Sequence, residues 1–181
     1  MSMPPSTVDS LPLPRWAYVP GESDEICADQ DRLWQAKSLV PSRFHGYVPA
    51  RHPALRYAIA LNDGGYFWES QEVLEAVWAA APQGGRERTL LRACIQIASA
   101  NLRLRVSKPH AAARLFGEAL GELNHLGERK TMAGGDGFVD GFPTAALTKL
   151  LKAKLELPLL SIADWVEIGD RRDRPDMKQN A

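Results

Sequence analysis

The chain has 181 residues, with 22 lysines and arginines against 22 aspartates and glutamates and 45% apolar residues, the profile of one globular domain with a substantial core. That charge balance excludes a dedicated nucleic-acid or polyanion binder. No apolar run approaches the ~20 residues needed to span a bilayer, and no basic-then-apolar leader opens the chain, so a soluble cytoplasmic protein is expected.

Prolines divide the sequence. They crowd the first third, whereas residues 54 to 126 contain only Pro82 and Pro109. The run from Leu11 to Gly21, with Pro12, Pro14 and Pro20, reads as an extended arm, because each proline fixes its own φ and pushes its predecessor out of the helical region. Trp16 and Tyr18 are placed to pin this arm onto the body. A short amphipathic stretch, Ile26 to Leu39, is predicted to turn Ile26, Leu33 and Trp34 inward.

Stronger helix signals begin at His52-Pro53, since proline suits a first helical position, and Asn62-Asp63-Gly64-Gly65 ends that helix. A second long helix is predicted from about Tyr66 to Ala80, a third from Arg86 to about Ser107, and a fourth from Pro109. The fourth carries Leu115, Phe116, Ala119, Leu120, Leu123 and Leu126 on one face. A flexible glycine-rich connector, including Gly134 to Gly137, leads to a helix from Pro143 to about Leu155 and then a charged, frayed tail. The expected architecture is all-α: a compact antiparallel bundle of about five to six helices over residues 49–160, a proline-rich arm over 1–48 and a tail over 161–181.

Two stripes can carry chemistry. At 100° per residue, Trp68, Gln71, Glu72, Glu75 and Trp78 share one face of the Tyr66–Ala80 helix. Flanking indoles would exclude water from the carboxylates and raise their pKa unless a cation compensates. On the next helix Arg88, Arg92, Gln96, Ser99 and Arg103 form a polar stripe about 80° wide on an otherwise apolar surface. If the stripes meet, Glu72 and Glu75 are the natural partners of the arginines. The alternatives are a ligand pocket lined by Trp68, Gln71, Glu72, Glu75, Trp78, Arg92 and Gln96, an interhelical ion-pair network, or two solvated faces. His45, His52, His110 and His125 show no ligand spacing and read as surface or capping residues. Cys27 and Cys94 read as free thiols.

The run Asn62-Asp-Gly-Gly-Tyr-Phe-Trp-Glu-Ser-Gln-Glu-Val-Leu-Glu-Ala-Val-Trp78, followed by Ala93-Cys-Ile-Gln-Ile-Ala-Ser-Ala100, resembles the family called domain of unknown function 309. The resemblance implies an all-helical bundle, and members often carry the label "predicted metal-dependent hydrolase". The family's acidic pair falls on Glu72 and Glu75, its tryptophan on Trp78 and its amide on Gln96. Its motif histidine does not carry over, because Gln71 stands in that position. Imidazole suits zinc or iron whereas an amide oxygen is a weak ligand, so no tightly held metal is expected here.

These readings lead to an expected non-catalytic binding or interaction module for a small molecule or a protein, acting on neither nucleic acid nor membrane. One alternative is a divalent-metal-dependent hydrolase using Glu72 and Glu75 as ligands or general base, and another is that these residues are purely structural and the working surface is the proline-rich arm. No other cofactor is implied, and a homodimer through an apolar helix face is compatible with the sequence.

Overall fold

The computed structural model describes residues 11–22, 27–127 and 135–169. Among the described residues six α-helices carry the fold: α1 Gln30–Ser38, α2 Pro53–Asp63, α3 Phe67–Ala80, α4 Arg86–Arg105, α5 Pro109–Gly127 and α6 Thr144–Leu155, followed by a 3-10 turn at Ile162–Asp164. Among the described residues, the sole β feature is an isolated antiparallel bridge between Pro49 and Gly137. The chain is therefore an all-α bundle, and none of its described helices is long and apolar enough to cross a membrane.

Local chemistry sets the helix limits. At the start of α2, Pro53 takes the first position and His52 Nδ1 accepts the Ala54 N–H at 3.2 Å, so this histidine is a cap. At its end Gly65 adopts φ +90°, which lets the Tyr66 N–H reach the Leu61 carbonyl at 2.8 Å. The buried Ser70 hydroxyl then donates to the Ala58 carbonyl at 2.7 Å and ties α3 to α2.

Helix α4 is the centre of the packing. Leu90, Leu91, Ala93, Cys94, Ile97, Ala98 and Ala100 are all fully buried between its neighbours α3 and α5. Helix α5 covers it with Ala112, Phe116, Ala119, Leu123 and Leu126, spaced three and four apart as an amphipathic helix requires. Burial pushes the Cys94 thiol well above its usual pKa, leaving it inert.

Three expectations need correction. Helix α1 opens at Gln30, and although Leu33 is buried, Trp34 is 71% exposed. Leu33 and Ala36 define the inward face of this short helix, and Trp34 sits about 100° around from Leu33; Ile26 lies outside the described residues. The glycine-rich connector is not wholly loose: the Phe138 N–H donates to the Val48 carbonyl at 2.8 Å, and Phe138 and Val139 are buried. Gly134 lies outside the described residues. The tail is packed as far as Gly169, with Val166 and Ile168 at 0% and 2% exposure.

That last segment is held by buried amides. Asn101 donates to the Val166 carbonyl and to Asn62 Oδ1, and accepts the Val166 N–H, each at 2.8 Å. Asn62 also donates to the Val166 carbonyl at 3.0 Å, and Asp63 accepts the N–H groups of Ile168 and Gly169 at 2.7 and 2.8 Å. Both asparagines are fully buried, so they stand in for the ladder partners that irregular backbone lacks. Asn101→Ala should orphan the Val166 N–H and part of Asn62. A loss of about 2–4 kcal/mol in urea unfolding is expected, and a loss below about 1 kcal/mol would show that the network is dispensable.

Candidate functional site

The structure disperses the predicted pocket residues among four neighbourhoods. Trp68 lies under the arm, where the Tyr18 ring meets it edge-on with centroids 4.9 Å apart. Glu72 faces α1 and pairs with Lys37 at 2.8 Å, with both side chains about a third exposed. Glu75 is exposed and accepts a hydrogen bond from the Gln71 amide at 3.3 Å, one turn back on the same helix. Among the described residues the acids of α3 do not pair with the arginines of α4, contrary to the expected match between the stripes.

The α4 stripe turns toward α5 instead. Arg92 pairs with Glu122 at 3.7 Å, and the Gln96 amide donates to Glu118 at 3.4 Å. Trp78 is the one α3 site residue that meets the stripe. The guanidinium of Arg88 lies 4.0 Å from the Trp78 ring centroid and that of Arg92 5.5 Å, a double cation–π arrangement. Arg88 is further held by the Ala81 carbonyl at 3.3 Å. Within this face Trp78 Nε1 and Gln96 Oε1 are buried and have no hydrogen-bond partner in the described chain. The short connection at 81–85 folds α4 back on α3 and brings the Arg88 and Arg92 guanidinium groups onto Trp78.

Sequence reasoning passed over Glu69. Its side chain is fully buried, its Oε1 accepts the Tyr18 N–H at 2.5 Å, and its Oε2 has no partner among the described residues. Burial pushes this carboxyl above the ordinary range, opposed by the Tyr18 hydrogen bond. Nearby, burial raises the Tyr57 phenol to about 12, while the bond from Arg15 holds Asp29 below its usual value. A signal for Glu69 existed: on the helical wheel it lies about 40° from the core residue Val73, beside the apolar arc.

With the geometry in view, residues 55–115 match the model of the family described as Domain of unknown function (DUF309), a span that contains both motifs of the resemblance. Comparisons with curated proteins and with solved structures found no match. The divalent ion implied by the family's hydrolase label does not fit the donors present. Gln71 replaces the imidazole and spends its amide on Glu75, Glu72 is neutralised by Lys37, and among the described residues no three His, Cys, Asp or Glu side chains converge on a metal position.

The buried carboxyl generates a pH prediction. Because the Glu69 pKa is raised on folding, the native state keeps its proton to higher pH than the unfolded chain, whose reference value is 4.5. The contribution of Glu69 to stability therefore falls as pH climbs through and above that value. Glu69→Gln abolishes this titration. In urea unfolding series run upward from about pH 4.5, the stability of wild type relative to E69Q is expected to fall with pH and to level off once the native carboxyl has ionised. Parallel curves would mean that the carboxyl titrates alike in both states.

Proposed function

We propose that this protein is a non-catalytic interaction module whose binding surface is the face of Trp78, Arg88, Arg92 and Gln96. The observation that carries this reading is the pair of unpartnered buried polar atoms, Trp78 Nε1 and Gln96 Oε1, beside two guanidinium groups stacked on one indole. A buried N–H and a buried amide oxygen without partners each cost about 1–3 kcal/mol. A partner that enters between the arginine side chains and supplies an acceptor and a donor recovers that cost. Arg92 has a half-exposed side chain and can swing aside to admit it.

Residue type supports a protein partner. Tryptophan and arginine dominate interface hot spots because they combine large contact area with directional hydrogen bonds. Glu118 and Glu122 border the face and give it mixed charge rather than a basic patch, in keeping with a chain of zero net charge. Hydrolysis through Glu72 or Glu75 has less support, because each carboxylate is already engaged, by Lys37 and by Gln71 respectively.

The test uses the full chain and its Trp78→Ala variant as parallel baits. A protein retained by the first and lost from the second is then purified and its affinity measured directly. Truncating a hot-spot tryptophan is expected to weaken binding by about 30-fold, the equivalent of about 2 kcal/mol. Equal retention by both baits would overturn this reading. So would hydrolysis of nitrophenyl esters or phosphates by the wild type that disappears in Glu72→Gln or Glu75→Gln.

A further inference from the structure

A second surface, independent of the Trp78 face, lies where α1, α2 and α3 meet. Residues 11–18 of the arm cross it with neither helix nor strand. Tyr57 Oη donates to the Pro12 carbonyl at 3.0 Å. Asp29 accepts the Arg15 N–H at 3.0 Å and grips the Arg15 guanidinium at 3.1 and 3.2 Å. Glu69 accepts the Tyr18 N–H, and the Tyr18 ring stands against Trp68. Pro14 is buried, and Leu11 and Tyr18 pack against the core.

The pattern of these contacts is that of a receptor and its ligand. Pro12, Arg15 and Tyr18 each use a main-chain group, which selects an extended chain whatever its side chains. The guanidinium on Asp29 and the ring on Trp68 then select by residue type. Two acids that would ordinarily face water, Asp29 at 2% and Glu69 at 0% exposure, are buried with partners that the arm supplies. The arm itself stays at the surface: Leu13 is 45% exposed, Trp16 38%, and the Arg15 side chain 60%. Prolines preset such a segment in extended form, so docking it costs little conformational entropy.

We infer that the α1–α2–α3 groove is a receptor for an extended Pro-x-Pro-Arg-x-x-Tyr segment of a partner protein, and that residues 11–18 are its intramolecular occupant. The arm is thus a tethered competitor. A short tether gives its occupant an effective concentration of order millimolar, so an incoming segment meets a mostly closed groove and its apparent affinity falls by the open fraction. Weakening the arm should open the groove without altering the receptor groups.

The experiment uses the full-length chain and a fluorescein-labelled synthetic peptide of residues 11–22. In fluorescence anisotropy the peptide should bind the Arg15→Ala chain at least tenfold more tightly than wild type. Tyr18→Ala, a second arm variant that leaves Asp29 and its guanidinium site intact, should act in the same direction. A peptide carrying the Arg15→Ala change should lose at least tenfold on either variant, as should the normal peptide on an Arg15→Ala/Asp29→Asn chain. Affinities equal to wild type in both arm variants, or indifference to the peptide arginine, would overturn the inference. A concentration-dependent dimer of the arm variants in sedimentation would overturn the partner assignment, since the arm of a second copy would then be the occupant.

Discussion

The structure depends on α4 being apolar around most of its circumference. A helix of this kind must be enclosed, and α3, α5 and the segment after α6 enclose it through Leu90, Cys94, Ile97 and Asn101. Its narrow polar stripe then has few directions to face. The stripe falls along the α5 side, where Glu118 and Glu122 meet Gln96 and Arg92. Only the end of α3 nearest the turn, at Trp78, reaches it. The separation of the acids on α3 from the arginines on α4 therefore follows from how the core is closed.

Both irregular segments are fastened by buried polar side chains rather than by apolar packing alone. Toward the C-terminus Asn62, Asn101 and Asp63 grip backbone groups of Val166, Ile168 and Gly169. Near the other end Tyr57, Asp29 and Glu69 grip Pro12, Arg15 and Tyr18. The difference lies in satisfaction. The two asparagines spend their amides on one another and on Val166, whereas Glu69 keeps an oxygen without a partner among the described residues. In low dielectric an incompletely paired group is costly, so the arm is the less secure attachment and the better candidate for exchange.

The carboxylates of α3 show how position decides chemistry. Glu72 and Lys37 form an ion pair exposed to water, a class worth about 0–1 kcal/mol and screened by salt. Glu69, three residues earlier, is fully buried, pairs with no cation among the described residues, and is held above its ordinary pKa by that burial. The first neutralises a group that a metal would need. The second is an acid that burial pushes toward its protonated form.

The sequence by itself determined the helices, their order and the motifs that match the family, because 3.6-residue periodicity, proline at a first turn and glycine at a stop are properties of neighbouring residues along the chain. It also determined that α4 is central, since its apolar arc is too wide for a surface helix. Tertiary structure alone decided that Trp34 points to solvent, that Glu72 meets Lys37 instead of Arg92, and that Glu69 lies beneath Tyr18. A helical wheel assigns each side chain an angle but no neighbour. The neighbour depends on how helices distant in sequence cross, and on where irregular segments such as the arm come to rest.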